Sequence, residues 1–113
     1  MCGICGILYT DPERIVDGNL ILNMNDSIKH RGPDDSGEYI NKNVGLGFRR
    51  LAIIDLSPAG HQPMTNEDGS VWIIFNGEIY NHLELREELL KKGHTYRSRT
   101  DSETIIHLSL IHI

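Results

Sequence analysis

The sequence predicts one small domain of mixed α and β structure. Apolar segments with the character of strands alternate along it with segments whose apolar residues recur at the helical period. With 113 residues the chain is long enough to bury one core. Its hydrophobic content of 39% and charged content of 24% are ordinary for a globular protein.

The chain begins with a predicted strand and a predicted helix. Gly3 to Leu8 is apolar and is followed by the turn signal Asp11-Pro12, which is typical of a short buried strand. A helix is then expected between Asp17, a suitable N-cap, and the helix-ending pair Gly32-Pro33. Its apolar face repeats at steps of four and comprises Leu20, Met24 and Ile28.

A polar loop and a longer strand occupy the middle of the chain. Residues 30–37 are polar and contain glycine and proline, so we expect a loop there. From Val44 onward apolar residues alternate with small or basic ones, and the strand is expected to run on through Leu51 to Ile54. Pro58 and Gly60 mark the loop that follows.

The last third of the chain predicts one more strand and two helices. Val71 to Phe75 is a continuous run of β-branched and aromatic residues, as in a buried strand. Helices are expected after Asn81 and from about Asp101, and Gly93 suits the end of the first. Each start carries a capping-box pattern. The two pairs are Asn81 with Glu84 and Thr100 with Glu103.

Charge and hydropathy exclude several classes of protein. A net charge of −5 argues against nucleic acid or an anionic membrane as a partner. No apolar run approaches the roughly 18 residues of a membrane span, and no signal peptide is expected, because a basic and apolar leader is absent. The expected location is cytoplasmic, where Cys2 and Cys5 would stay reduced.

The sequence gives little support for a metal ion or a cofactor. Cys2 and Cys5 form a Cys-x-x-Cys pair, but a structural zinc needs four ligands and no second cysteine pair exists. The pair also lies at the extreme terminus, unlike the redox pair of thioredoxin. The six histidines include no pair four residues apart beside a carboxylate, and no glycine-rich phosphate loop is present. We therefore expect neither a metal nor a cofactor in this chain.

Cys2 is the strongest candidate for a catalytic residue, because removal of Met1 would make it an N-terminal cysteine. Such a residue carries a thiol and a free α-amine on one Cα, and both groups titrate near neutral pH in model peptides. It could serve as nucleophile and general base at once, as an N-terminal threonine does. On position alone, an incidental or buried cysteine remains the simpler interpretation.

Three further positions each allow a structural and a functional interpretation. Asn76-Gly77 signals a tight hairpin turn, or it supplies an oxyanion hole from the asparagine amide and the glycine N–H. Arg49 and Arg50 are surface charges of a strand, or one of them binds a carboxylate in bidentate fashion. Asp101 favours the helix dipole, or it accepts hydrogen bonds from a substrate ammonium group. The residues alone leave these alternatives open.

Taken together, six motifs in order resemble the glutaminase domains of glutamine-hydrolysing asparagine synthetases. They are Met1 to Gly6, His30 to Asp34, Arg50 to Asp55, His61 to Met64, Phe75 to Asn81 and Thr100 to Glu103. Those domains are class II glutamine amidotransferases, a group of N-terminal-nucleophile hydrolases. The resemblance implies their α+β fold, a four-layer αββα sandwich, here incomplete at the C-terminus.

The resemblance also implies a role for each candidate residue. Cys2 matches the nucleophile that attacks the side-chain amide of L-glutamine, which releases ammonia and leaves a thioester. Asn76 and Gly77 match the oxyanion hole, Arg50 the ligand of the substrate carboxylate, and Asp101 the ligand of its ammonium group. Further substrate contacts are implied for Glu78 and for the backbone of Leu51, Ala52, Ile53 and Ile54.

The resemblance covers residues 1–107, as a partial glutamine amidotransferase type 2 domain, and residues 108–113 depart from the family pattern. Because the chain stops at Ile113 within an apolar segment, we expect it to be a piece of a longer protein. In the family a synthetase domain follows, which uses ATP and Mg²⁺ to convert aspartate to asparagine, and a homodimer is compatible with the resemblance.

Two other functions stay open at this point. The domain could feed ammonia to a different acceptor, since the synthetase domain chooses the acceptor, or it could be an inactive remnant of the fold. We also expect the isolated chain to be unstable and weakly active. The reason is that strands from the rest of the domain would be needed to pair its sheet edges.

Overall fold

A three-stranded antiparallel sheet organises the first half of the chain. The computed structural model describes residues 1–53 and 56–112, of which 110–112 as backbone alone. The strands are β1 (Gly3–Leu8), β2 (Asp35–Asn41) and β3 (Val44–Arg50), in the order β1–β3–β2. The register pairs both Gly3 of β1 and Ser36 of β2 with Arg49 of the central strand.

Helix α1 (Gly18–Ser27) packs against this sheet and confirms the predicted helix, but it ends at Ser27, and a 3₁₀ turn at Lys29–Arg31 takes the place of its expected last turn before Gly32. Asp17 caps it as predicted, since its carboxylate accepts a hydrogen bond of 2.9 Å from the backbone N–H of Asn19. Glycine in the central strand permits the close approach of helix and sheet. A Cβ atom at Gly45 would lie 2.8 Å from the side chain of Ile21, so any larger residue there would push α1 away.

The buried face of α1 differs from the predicted one. Ile21 and Asn25 are buried, at 0% and 1% exposure, whereas Leu20 is 43% exposed. The amide of Asn25 accounts for this difference, because its Nδ2 donates to the backbone carbonyls of Gly37 and Phe48, each at 3.2 Å. A polar side chain therefore takes a position facing the sheet that apolar periodicity could not indicate.

The second half of the chain forms a two-residue antiparallel ladder and a pair of helices. The ladder joins β4 (Met64–Thr65) to β5 (Trp72–Ile73), and helices α2 (His82–Lys91) and α3 (Asp101–His112) pack against each other. Short 3₁₀ turns lie at Lys29–Arg31 and Pro58–Gly60. Trp72 stacks on Tyr39 of β2 with ring centroids 3.8 Å apart, so the ladder lies against the main sheet.

The predicted strands are less buried or shorter than expected. β1 has its predicted bounds, but its residues alternate in exposure, and Ile4 and Leu8 are 49% and 71% exposed. Of the predicted strand Val71–Phe75, only Trp72–Ile73 pairs with another strand. Apolar character therefore gave the location of these segments, whereas pairing determines how much of each becomes a strand.

The bounds of the middle strands also differ from the prediction. β3 ends at Arg50, before the segment Leu51–Ile54 that was expected to prolong it, and Ile54 itself lies outside the described residues. Conversely, Asp35 to Gly37, expected in a polar loop, are paired with β3 as the start of β2. The pairing across β3 therefore overrides the polar composition of that segment.

The end of α2 is the one that the sequence predicts. Gly93 follows the helix with φ of +94°, a left-handed conformation that glycine adopts without strain. The N–H groups of Gly93 and His94 donate to the carbonyls of Leu90 and Leu89, both at 3.1 Å. This is the hydrogen-bond pattern of a Schellman motif.

Neither predicted capping box is formed. Asn81 precedes α2 but makes no capping hydrogen bond through its side chain. Glu103 accepts hydrogen bonds from the N–H groups of Arg97 and Ser98, at 2.6 and 2.7 Å, instead of the N–H of Thr100. The carboxylate therefore fixes the two residues that lead into α3 and not its N-cap.

The architecture is a small mixture of helices and antiparallel strands, consistent with an α+β amidotransferase domain. The four-layer arrangement of the αββα sandwich stays a prediction. Within the described residues, no helix combines the length and the apolar character needed to cross a membrane.

Candidate active site

The strand register places Cys2 beside Arg50. β1 and β3 are antiparallel and Gly3 pairs with Arg49, so the residue before β1 lies next to the last residue of β3. The hydrogen bonds agree, since the N–H of Leu51 donates to Sγ of Cys2 at 3.3 Å and the thiol lies 3.5 Å from the carbonyl of Leu51. The sheet thus brings together two residues that lie far apart in the sequence.

The backbone of Cys2 is anchored as well as its side chain. Nε of Arg31, in the 3₁₀ turn after α1, donates to the carbonyl of Cys2 at 3.1 Å. Cys2 is half-buried. The residue is therefore held in a defined position yet remains within reach of a small molecule.

A cavity of about 70 Å³ lies at this end of the sheet. Most of the residues that the sequence singled out contribute to its wall. They are Cys2, Arg50, Leu51, Ile53, Gly77, Glu78 and Asp101. The chain terminus, the end of β3, the segment after β5 and the start of α3 thus meet around one small space.

Arg50 is buried at 7% exposure and lines the cavity. Its Nη1 donates to the carbonyl of Ser57 at 2.6 Å. Arg49 is equally buried, but its Nε donates to the carbonyl of Gly32 at 2.9 Å and it does not line the cavity. Neither arginine is therefore a surface charge, and of the two it is Arg50 that reaches the candidate site.

Asp101 lies in the first turn of α3 and is 6% exposed. Its Oδ2 accepts a hydrogen bond of 2.8 Å from the backbone N–H of Ile79. Asp101 also lines the cavity, so it does more than favour the helix dipole. It fastens the segment after β5 to the start of α3 and adds a negative charge to the wall.

The pair Asn76-Gly77 does not form a hairpin turn. β5 pairs with the preceding strand β4, and Gly77 lies at a bend that leads toward α2. Gly77 and Glu78 line the cavity, whereas Asn76 is not among the lining residues. The predicted pair of oxyanion donors is thus brought to the site in part, through Gly77.

The segment after β3 contributes unevenly to the site. Leu51 and Ile53 line the cavity, and Ile53 is 62% exposed. Ala52 lies outside the cavity wall, and its N–H donates to Oδ2 of Asp34 at 2.9 Å. Ile54 lies outside the described residues.

Among the described residues of the cavity wall, sequence reasoning missed six. They are Phe48, Gly60, Gln62, Phe75, Thr100 and Ser102. Gln62 connects two of the others, because its Nε2 donates to Oγ of Ser102 at 3.2 Å and its Oε1 accepts from the N–H of Phe75 at 2.7 Å. These residues lie inside or beside the motifs that contain the predicted site residues, and that position could have identified them as neighbours of the site.

A second polar cluster lies apart from the cavity. Glu67, His94 and His107 converge there, with atoms able to bind a metal ion within 4.8 Å of one another. Burial opposes ionisation of Glu67, but hydrogen bonds from backbone N–H groups and from His94, with the charge of His107, hold its pKa below the usual range. The three residues are far apart in the sequence, so their spacing did not predict the cluster.

Cys5 differs from Cys2 in its surroundings. Burial raises the pKa of the Cys5 thiol, and the nearby charge of Glu38 raises it further. The thiol points toward Oδ1 of Asn25 at 3.9 Å, on the face of the sheet that α1 covers. Cys5 therefore belongs to the packing between sheet and helix.

Comparisons with known proteins point to one family. Residues 1–111 match the glutamine amidotransferase domain. The chain is 48% identical over 108 residues to asparagine synthetase (glutamine-hydrolysing) 1 of Bacillus subtilis strain 168, a match that covers 94% of the chain. It is 43% identical over 108 residues to the enzyme of the same name from Arabidopsis thaliana, a match that covers 96% of the chain.

The chain spans only a small part of these relatives, 17% of the Bacillus protein and 18% of the Arabidopsis protein. The family match, in contrast, covers nearly all of the chain. The matched region includes the residues that line the cavity beside Cys2. The chain therefore belongs to the glutamine amidotransferase domain family.

Proposed function

We propose that this chain hydrolyses the side-chain amide of L-glutamine, with Cys2 as an N-terminal nucleophile after removal of Met1. One observation carries the proposal: a single small cavity is lined by Cys2, Arg50 and Asp101. The family match supports glutamine as the substrate, and so do the names of the relatives, which describe them as glutamine-hydrolysing.

The charges at the cavity suit a free amino acid. Such a ligand presents a carboxylate and an ammonium group on one carbon, so its site needs a cation and an anion. Arg50 supplies the cation, and its planar guanidinium is suited to bidentate binding of a carboxylate. Asp101 supplies the anion. Both side chains are buried, at 7% and 6% exposure, where charge interactions are stronger than in bulk water.

The proposed chemistry begins with proton transfer from the thiol of Cys2 to its own α-amine. The sulfur attacks the amide carbon of glutamine, a C–S bond forms, and the carbonyl π electrons move to the oxygen. Collapse of this tetrahedral intermediate breaks the C–N bond, and the leaving nitrogen takes the proton from the α-ammonium group and departs as ammonia. Water then hydrolyses the thioester, which releases glutamate and restores the thiol.

The negative oxygen of the intermediate needs hydrogen-bond donors. We assign this role to the N–H of Gly77, which lines the cavity, and to the side-chain amide of Asn76. Asn76 has to turn toward the cavity when substrate binds, as catalytic contacts often tighten only in the substrate complex. Loss of one such donor typically lowers the rate by about 10²–10³-fold.

The ammonia is proposed to serve a synthetase. The relatives are named asparagine synthetases, so we propose aspartate as the acceptor, in a reaction driven by ATP with Mg²⁺ bound in a further domain. In a protein that joins this chain to such a domain, Cys2→Ala should abolish asparagine formation from glutamine. Formation from added ammonia should persist, and equal loss of both would contradict the assignment.

Mass spectrometry tests the nucleophile directly. The purified chain should lack Met1, and a diazoketone analogue of glutamine should add one adduct to Cys2, with protection by L-glutamine. Cys5→Ala is the matched control and should be labelled like the natural chain, whereas Cys2→Ala should not be labelled. A chain that hydrolyses glutamine while retaining Met1 would refute the proposed mechanism.

A further inference from the structure

We infer that Glu67, His94 and His107 form a binding site for a divalent transition-metal ion, with Zn²⁺ as the ion that suits the donors best. The residues come from three parts of the chain: the turn between β4 and β5, the segment after α2, and α3. The inference does not depend on glutamine hydrolysis, because none of the three residues lines the cavity of Cys2. A bound ion would cross-link these three segments.

The two distances from the carboxylate of Glu67 are close to those of a tetrahedral site, and all three donor atoms lie within 4.8 Å of one another. Nδ1 of His94 and Nδ1 of His107 lie 3.2 and 3.1 Å from Oε1 of Glu67, respectively. Ligand atoms that are about 2.0–2.2 Å from a tetrahedral zinc ion lie about 3.3–3.6 Å from one another. The carboxylate therefore needs only a small movement relative to either ring to share an ion with it, and the two rings start within 4.8 Å of each other.

His107 supplies the observation that points most directly to a ligand. Its side chain is 1% exposed, and its Nδ1 is the only buried side-chain polar atom without a hydrogen bond in the part of the chain that the structure describes. Oε1 of Glu67 is close to this nitrogen but is not aligned with it as a hydrogen-bond partner. A buried polar atom without a partner requires an explanation, and a cation between the two would satisfy both.

The other side of the His107 ring is arranged as in known metal sites. Nε2 lies 3.4 Å from Oε1 of Glu103, an acceptor for an N–H donated by the ring. Glu103 is itself fixed, since it is 4% exposed and accepts the backbone N–H of Arg97 at 2.6 Å. Histidines that bind a metal usually donate their second nitrogen to a carboxylate in this way. With the proton on Nε2, the lone pair of Nδ1 faces Glu67 and His94.

The donor set selects the kind of ion. Two imidazoles and one carboxylate are the protein ligands of many zinc sites in which water fills the fourth position. Mg²⁺ and Ca²⁺ instead prefer sets made of oxygen atoms. The side chains of His94 and Glu67 are 18% and 34% exposed, so an ion and its water ligand can reach the cluster from solvent.

A proton could satisfy the cluster in place of a metal. His107 would then be an imidazolium between Glu67 and Glu103, and the chain would have no particular affinity for Zn²⁺. The two explanations differ over His94. In the metal site Nδ1 of His94 is a ligand through its lone pair, whereas beside the ion pair it only donates a hydrogen bond to Oε1 of Glu67, 3.2 Å away.

Titration of the untagged 113-residue chain with Zn²⁺ and with Co²⁺ tests the inference. We expect one ion per chain and visible absorption bands of four-coordinate Co²⁺. At a free Zn²⁺ concentration of 100 times the dissociation constant, the midpoint of thermal unfolding should rise by about 10 °C. His94→Asn and Glu67→Gln should each weaken binding by more than about 100-fold, beyond what loss of an outer partner costs.

His61→Asn is the matched control. His61 also lies beside a carboxylate, with Nδ1 2.6 Å from Oδ2 of Asp35, but it belongs to no three-residue cluster in the described ranges 1–53 and 56–112. This variant should bind both ions like the natural chain. Unchanged affinity in His94→Asn and Glu67→Gln, or no stoichiometric binding by the folded chain, overturns the inference and favours the ion pair.

A readout based on folding keeps the test decisive if the chain is unfolded without metal. In that case Zn²⁺ should induce the helical circular dichroism signal in the natural chain and in His61→Asn, but not in His94→Asn. Failure of Zn²⁺ to induce structure in the natural chain would overturn the inference.

Discussion

Gly60 lies against the guanidinium group of Arg50. A Cβ atom at Gly60 would be 2.8 Å from Cζ of Arg50 and 2.9 Å from the side chain of Thr100, closer than such atoms approach. The same turn holds the guanidinium through the carbonyl of Ser57, which accepts from Nη1 at 2.6 Å. The turn at Pro58–Gly60 therefore positions the proposed carboxylate ligand, and a larger residue at Gly60 would force the guanidinium to move.

Replacement of Gly60 by alanine should weaken glutamine binding without changing the reactivity of the Cys2 thiol. The added methyl group displaces the guanidinium, and a charge-assisted hydrogen bond contributes about 1.5–3 kcal/mol, equivalent to roughly 10–150-fold in affinity. With the diazoketone analogue, the concentration for half-maximal inactivation should rise by that factor. The maximal rate of inactivation should change much less.

Gly18→Ala is the control for this substitution. A Cβ atom at Gly18 would lie 3.4 Å from Ile40, an ordinary contact, so the variant should be inactivated like the natural chain. Simple alkylation of Cys2 by iodoacetamide should be equal in both variants. If Gly60→Ala bound the analogue as tightly as Gly18→Ala does, Arg50 would not be the carboxylate ligand.

Asp101→Asn separates the charge of this side chain from its structural contact. The amide oxygen of asparagine can still accept the N–H of Ile79, now 2.8 Å from Oδ2, so the midpoint of thermal unfolding should change little. The negative charge proposed to bind the substrate ammonium is lost, and the half-maximal concentration of the analogue should rise by about 10–100-fold. An unchanged value would exclude the proposed role of Asp101.

Asn25→Ala should destabilise the fold through the contact between α1 and the sheet. The substitution removes the donor that serves the carbonyls of Gly37 and Phe48. Loss of a buried partner typically lowers the free energy of unfolding by about 1–3 kcal/mol, measurable by urea denaturation. Asn23→Ala on the exposed side of the same helix should stay within about 0.5 kcal/mol of the natural chain. Equal effects of the two would contradict the assigned role.

The same helix shows which features of the fold the sequence could predict. Asp17 and Gly93 act through their own backbone neighbours, so the start of α1 and the end of α2 were predictable from local chemistry. The buried side of α1 was not predictable, because Asn25 faces the sheet and donates hydrogen bonds to carbonyls of β2 and β3. The strand predicted at Val71–Phe75 was too long because its length also depends on residues elsewhere in the chain. Only two of its residues pair with another strand.

The candidate site divides in a similar way. Motif resemblance singled out Cys2, Arg50 and Asp101, and the cavity gathers all three, although their roles remain proposals. Gln62 was not predicted, because it contributes to the cavity wall through hydrogen bonds that exist only in the folded chain. The cluster of Glu67, His94 and His107 was missed for a different reason: its members have no helical spacing, and the turn between β4 and β5, the segment after α2, and α3 are needed to bring them together.

Cys5 should show the chemical behaviour of a buried thiol with a raised pKa. Burial and the charge of Glu38 disfavour the thiolate, so the pKa of Cys5 lies above its ordinary value. Alkylation by iodoacetamide requires the thiolate. The midpoint of the pH–rate profile for Cys5, followed by peptide mass spectrometry, should therefore lie at higher pH in the folded chain than in urea. Because the folded state holds this proton more tightly, Cys5 favours folding at low pH, and this contribution is lost as the pH rises through the folded pKa.

Glu38→Gln isolates the electrostatic part of this effect. Removal of the negative charge should move the midpoint of the Cys5 profile to lower pH, toward that of the unfolded chain, because one of the two causes of the raised pKa is gone. Glu87→Gln, on the exposed surface of α2, removes the same charge elsewhere and should leave the midpoint in place. The midpoint is the informative quantity, because steric access changes the height of the profile but not its position along the pH axis. Identical midpoints in the two variants would show that burial alone sets the reactivity of Cys5.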